Sequence, residues 1–167
     1  MNYFKLLVLA FIVSGCSTLS TVSKPISEAL DAVDKEGNAK EVTISIFALK
    51  NYTDTPQAGM RASNIIEGIL LAKGYKVVSH VSEKSYSLKK SKKIAKKDES
   101  KYFLSGGISE WRYKTGIDGE PAVSIQTTIY KTKNAKVAWS ATGSDSDWGN
   151  SSIGTTAHDL LELMLES

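Results

Sequence analysis

The 167 residues hold one cysteine, two histidines and three prolines, and each scarcity removes a class of protein. With Cys16 alone, no disulfide can form within the chain, so packing and hydrogen bonding must hold the fold. His80 and His158 stand far apart, with no HExxH pattern and no clustered ligand spacing, so no metal site and no cofactor are expected. No G-x-S-x-G elbow presents a serine nucleophile, and no glycine loop leads from a strand into a helix to cradle phosphate. The sequence therefore predicts a protein that is not an enzyme. Gly106-Gly107 lies inside a strand pattern, where paired glycines mark a bulge or a close backbone approach. Long apolar runs are missing too. Leu6 to Val13 is apolar throughout but only eight residues long, about 12 Å of helix against a hydrocarbon core of about 30 Å.

That short run follows Lys5 and precedes Ser14-Gly15-Cys16, the layout of a signal peptide. Val13-Ser14-Gly15-Cys16 resembles the bacterial lipobox, in which cleavage leaves a cysteine that becomes the lipidated N-terminus. The resemblance implies removal of residues 1–15 and lipidation of Cys16, and the several acyl chains of such an anchor hold stably on a bilayer. Ser17 is not the aspartate that in enterobacterial lipoproteins signals retention in the inner membrane. The expected address is the outer membrane, with the globular part on its periplasmic face.

Of 21 basic and 18 acidic groups, eight lysines and three acids fall between Glu83 and Lys101, so the rest of the chain is mildly acidic. Serine, threonine, lysine and aspartate dominate the stretch from Ser17 to Asn38, which reads as a tether with one weak helical turn. Residues 16–40 are thus expected to be the lipidated cysteine and a flexible tether, and residues 41–167 a single periplasmic domain with one core.

Within that domain, Glu41–Lys50 alternates as a first strand. Ala58–Lys73 carries apolar residues at helical spacing, with Asp54 or Thr55 as its cap and Gly74 beyond its end. Tyr75–Val81 follows as a second strand, which a β-α-β unit of this size makes parallel to the first. Ser87–Ser100 is a lysine-dense exposed helix. It has no aromatic residues to stack on bases, and the sequence favours a solvated face over a nucleic-acid surface. Three antiparallel strands come next, the first an extended run entered at Tyr102-Phe103-Leu104 and carrying Glu110 to Lys114, then Ala122–Ile129 and Val137–Thr142; a polar loop, Gly143–Asn150, carries Trp148, and a closing helix bears Ala157, Leu160, Leu161 and Met164. The expected fold is an α/β (α+β) sandwich. Its mixed sheet has about five strands with a C-terminal three-stranded antiparallel portion, packed by two to three helices.

The stretch Ser105–Ile125 is the most distinctive. It reads as a hairpin with Asp118 and Glu120 at its tip and with Pro121, which cannot donate to a ladder, opening the second strand. Trp111 and Tyr113 share one face of the first strand; Glu110, Arg112 and Lys114 share the other. Trp139 falls inside a strand and is explained by packing. Trp148 has only polar neighbours in sequence and suits a lipid interface.

The lipobox, the run NYTDTPQAGMRASNIIEGILLAKGY, the run GGISEWRYKTGIDGEPAV and then VAWSATGSDSDWG together resemble the PelC-like outer-membrane lipoproteins of Pel exopolysaccharide export. The resemblance spans most of residues 42–165 and leaves out the lysine-rich segment. It implies a dodecameric ring beneath an outer-membrane β-barrel, with an acidic lumen that guides a cationic, partly deacetylated amino-sugar polymer. It also implies that Asp118 and Glu120 line the path, that Trp148 seats the ring on the inner leaflet, and that Trp111, Arg112, Tyr113, Gly119 and Pro121 form a structural signature. Nucleic acid is not an expected partner. A rival reading is a monomeric outer-membrane lipoprotein that reaches through peptidoglycan to activate or scaffold an envelope enzyme, a role that the fold class alone does not separate from export.

Overall fold

The computed structural model describes residues 19–22, 24–32, 41–114, 119–147 and 151–166, so Cys16, Asp118 and Trp148 lie outside the described residues. In chain order the elements are β1 (Leu19–Val22), α1 (Ile26–Ala29), β2 (Thr43–Phe47), β3 (Lys50–Asn51), α2 (Ala58–Ala72), β4 (Lys76–His80), α3 (Leu88–Lys97), β5 (Tyr102–Tyr113), β6 (Pro121–Lys131), β7 (Val137–Ser146) and α4 (Ile153–Glu166). The strands form one mixed sheet in the order β1-β7-β6-β5-β2-β4, with β3 also pairing β5. This is the expected α+β architecture.

Alternation in β2 sends Ile44 and Ile46 to one face and Ser45 and Phe47 to the other. The first face carries the main core. There Ala62, Ile66 and Leu70 of α2 and Leu160, Leu161 and Met164 of α4 lie over Leu104, Ile125 and Trp139. Each such aliphatic side chain contributes roughly 1.5–3 kcal/mol on full burial. On the opposite face α3 sets Ala95 against Phe47 and Phe103 in a second, smaller core. Beyond that patch the face is left to polar residues, as an antiparallel sheet allows. β2 runs parallel to β4 and β5, while β5, β6 and β7 form an antiparallel meander.

Four departures from the sequence reading have physical causes. Among the described residues the sheet has seven strands rather than about five, and α1 adds a fourth helix. Part of the stretch read as tether supplies β1, which pairs β7 from Leu19↔Ser144 to Val22↔Ala141, and α1, which buries Ile26, Ala29 and Leu30. Tyr102 donates its hydroxyl hydrogen to the Leu30 carbonyl at 3.1 Å and so fastens this turn to β5. The polar loop expected from Gly143 begins only after Ser146. β7 bonds to β6 on one side and β1 on the other, with Ala141 and Gly143 turned inward and Thr142 outward. Neither Asp54 nor Thr55 caps α2. The cap position is Gln57, in the left-handed region at φ 60 with no side-chain cap bond, while Thr55 gives its hydroxyl to the Trp111 carbonyl.

A further departure concerns β5. Its register with β6 is regular up to Ile108↔Ile125 and resumes at Glu110↔Ser124, so Ser109 is an extra residue. The bulge reverses the parity of the strand. Leu104 and Ile108 face the core before it, and Trp111 faces the core after it. The paired glycines serve the other purpose expected of them, close approach. A Cβ at Gly106 would stand 2.1 Å from the Gln126 carbonyl oxygen, and one at Gly107 would stand 2.7 Å from the Tyr52 ring.

Candidate functional site

Lys114 N donates to the Glu120 carbonyl at 2.6 Å and closes the base of the hairpin tip, with Gly119 at φ 53 and Pro121 opening β6. Glu120 is not a free carboxylate. Lys114 Nζ lies 3.6 Å from it, and its side chain is 19% exposed. One turn of the pleat earlier, Arg112 pairs with Glu110 at 2.9 Å. Trp111 is buried. Tyr113 stands exposed on the same face, its hydroxyl accepting from Ile153 N at 3.1 Å at the start of α4. The signature residues thus brace the hairpin: Trp111 roots it in the core and Tyr113 ties it to the closing helix.

Lys114, Gly119 and Asp147, which flank the tip and the Trp148 segment, all lie at one end of the sheet. Asp147 N donates to the Pro121 carbonyl at 3.3 Å. The same end receives β1, since Leu19 pairs with Ser144. The chain therefore enters the domain from Cys16 at the end that carries both candidate segments.

The lysine helix sits toward the other end. Ser87 caps α3 by accepting from Lys90 N, and Ser91 and Ala95 face inward. Of the eight lysines from 84 to 101, among the described contacts only those of Lys90, over the Tyr86 ring at 4.7 Å, and the flanking Lys101, 3.7 Å from Asp31 and over the Tyr102 ring at 5.4 Å, give an ammonium group a close partner.

Below the end of α3, His80 Nε2 lies 2.8 Å from Asp98 Oδ2, and Ser45 Oγ donates to the same oxygen at 2.7 Å. Ser100 Oγ is 2.8 Å from Ser45 Oγ, and the Phe47 ring stacks on His80 at 5.1 Å. Here the serine bonds to the carboxylate, not to the imidazole, so the cluster has no activated nucleophile. It clamps the helix end to β2 and β4. His158 stands on the outer face of α4 beside Asp159 and Glu162. Among the described residues no three metal-ligating side chains come together, and no helix is long and apolar enough to cross a membrane.

One site was not foreseen. The loop after β3 and the bulged part of β5 enclose an open groove of about 410 Å³ lined by Tyr52, Asp54, Ser109, Glu110, Arg112 and Ser124 among others. Its ingredients were conspicuous in the sequence as the runs NYTDTP and GGISEWR, but they are far apart in the chain and only the parallel pairing of β3 with β5 unites them.

No family model and no curated protein matches the chain. Among solved structures, the PelC dodecamer from Paraburkholderia phytofirmans superimposes with a TM-score of 0.72 at 28% identity, over 90% of this chain and 96% of that one. The fold is PelC-like. Lipoprotein GNA1162 from Neisseria meningitidis matches at 20% identity and a TM-score of 0.56, over 73% of this chain and 94% of that one. The C-terminal domain of LpoB from Salmonella enterica matches at 17% and 0.50, over 71% and 90%. These last two share the fold alone.

Proposed function

We propose that the chain is a PelC-like lipoprotein of the outer membrane, lipidated at Cys16, that assembles as a ring on the periplasmic face and guides a cationic exopolysaccharide to a β-barrel channel. The observation that carries this reading is the likeness to a PelC dodecamer along nine-tenths of the chain. The position of β1 adds to it. Two residues, Ser17 and Thr18, separate Cys16 from Leu19, a leash of about 10 Å at full extension. A lipidated Cys16 holds the hairpin tip and the Trp148 segment next to the bilayer, where a channel mouth would be. The same short leash disfavours the rival reading, which needs a domain that reaches deep into peptidoglycan.

In a ring, one carboxylate per subunit becomes a belt, and a confined passage focuses its potential. Because Lys114 offsets Glu120, the belt rests more on Asp118, and Asp118→Ala is expected to reduce secretion more than Glu120→Ala. Trp148 is assigned to the lipid interface, where an indole satisfies both its apolar body and its N–H. The deciding experiment is the mass of the detergent-extracted protein, together with secretion by cells carrying Cys16→Ser or Trp148→Ala. A large ring and loss of secretion in Cys16→Ser support the reading; a monomer, or secretion indifferent to Cys16→Ser, refutes it. Trp148→Ala should leave the ring intact and weaken its binding to vesicles. Unfolding, or unchanged vesicle binding, removes the interface role.

A further inference from the structure

We infer that the groove under Tyr52 is a binding site for an amino-sugar chain, with Tyr52 as the stacking platform and Asp54 as the acceptor for an ammonium group. The inference rests on the export reading for its biological setting, but its geometry is independent of the hairpin tip. Tyr52 is 68% exposed although it is a large aromatic side chain. Its backbone is nevertheless held in place. Its backbone N–H donates to the Ile108 carbonyl at 2.9 Å, and its ring lies against Gly107, where any side chain would collide with it. Glycine inside a central strand weakens the sheet, so this position gives up stability to seat an exposed ring.

The loop beyond Tyr52 is built with similar care. Asn51 Oδ1 accepts from Thr53 N at 3.0 Å and from Thr53 Oγ1 at 2.8 Å, while Asn51 Nδ2 donates to the Thr55 carbonyl at 2.8 Å. Thr55 then bonds across to the Trp111 carbonyl. The rim is therefore fixed before any ligand arrives, which lowers the entropic cost of binding. Asp54 projects from this rim, exposed, with no ion-pair partner among the described residues. On the opposite wall Glu110 and Arg112 neutralise each other. The groove thus keeps one uncompensated carboxylate, which repels polyanions and attracts a cation.

Its floor is made of hydroxyl groups. Ser109 Oγ donates to Ser124 Oγ at 3.0 Å. Ser124 also lines a shallower hollow of about 100 Å³ with Thr21, Thr142 and Ser144. Tyr52 to Thr21 crosses β5, β6, β7 and β1, a path of about 19 Å at the usual strand spacing of about 4.8 Å. That is a track for several linked sugars. An aromatic face for the pyranose ring, hydroxyls for its own hydroxyls and one carboxylate for a free amine together fit a hexosamine oligomer with unacetylated residues.

The test is calorimetric titration of the full-length chain, in detergent micelles, with a tetramer of β-linked glucosamine and with its fully N-acetylated counterpart. The unacetylated tetramer should bind more tightly. Tyr52→Ala should weaken both by roughly tenfold, Tyr52→Phe should keep the wild-type affinity, and Asp54→Asn should weaken only the amine-bearing tetramer, again by roughly tenfold. Circular dichroism and melting of each variant report on folding. Binding of neither tetramer to the wild type, or equal binding by a folded Tyr52→Ala variant, overturns the site. Should the ring form and Cys16→Ser block secretion while Tyr52→Ala binds normally, the groove alone is wrong. Should deletion of the whole chain spare secretion while the tetramer binds in a Tyr52-dependent way, the export reading falls and the groove stands.

Discussion

Alanine placed at Gly106 and, separately, at Gly107 should give opposite results, although the residues are neighbours in one strand. At Gly106 the new methyl group would lie 2.1 Å from the Gln126 carbonyl oxygen and 3.1 Å from Leu49 Cδ2. The first of these is backbone in the middle of the β5/β6 ladder, where neither strand can move without opening paired bonds on both sides. Overpacking of this kind costs about 1–3 kcal/mol, and the immovable neighbour puts Gly106→Ala at or above the upper value. For a domain of this size that is a fall of roughly 6–12 °C in melting temperature. At Gly107 the contact is 2.7 Å to Cε2 of Tyr52, the far end of an exposed side chain that can swing into solvent. The clash is relieved by that movement, and alanine narrows the unfolded ensemble, so Gly107→Ala should stay within about 1 kcal/mol of wild type. Urea denaturation with unchanged slope measures both. A Gly106→Ala variant as stable as wild type, or a Gly107→Ala variant as damaged as Gly106→Ala, would refute the packing argument. Gly107→Ala also displaces the platform, and should lose binding of the glucosamine tetramer without losing stability.

Burial, aided by Asp31, pushes the Tyr102 hydroxyl up to about 12 from its usual 10; its contribution is complete below pH 10 and is lost as pH rises through about 12, so Tyr102→Phe should flatten that part of the stability profile relative to wild type. Below pH 10 the same variant should lose about 0.5–1.5 kcal/mol, read from urea midpoints, because the bond to Leu30 is gone. Asp98→Ala strips His80 and Ser45 of their shared acceptor, and should lower stability by about 1–3 kcal/mol in denaturant melts while leaving vesicle binding and ring mass intact. Deletion of Ser109 removes the extra residue and leaves Ile108↔Ile125 followed directly by Glu110↔Ser124 and Trp111↔Val123, so Trp111 should stay in the core and tryptophan emission should keep its wild-type maximum; a red-shifted emission would refute the bulge assignment.

The β-α-β unit, the hairpin and the closing helix were legible because their signals are local: alternation in Glu41–Lys50, helical spacing in Ala58–Lys73, a glycine-proline turn at 119–121 and the stripe from Ala157 to Met164. What escaped depends on partners distant in sequence. Ser144 and Ser146 look like loop residues, yet they are the wet side of a strand whose register is imposed by neighbours on both sides. Leu19–Val22 carries no pattern at all and is ordered by an available edge. Gly106-Gly107 left a bulge and a close approach both open, because glycines that permit close contact and glycines that permit irregular backbone leave the same trace in sequence; the glycines serve the close approach and the bulge lies at Ser109. The groove was illegible for the plainest reason: its two walls are separated by more than fifty positions, and only the β3/β5 pairing sets Tyr52 over Gly107.

β1 has a mechanical meaning as well. Its four residues run antiparallel to β7, and the chain from Cys16 enters along the strand direction. Under the anchor proposed at Cys16, a load that draws the domain away along the sheet pulls β1 lengthwise and strains its interstrand bonds together, in shear, where a sideways pull would open them one after another.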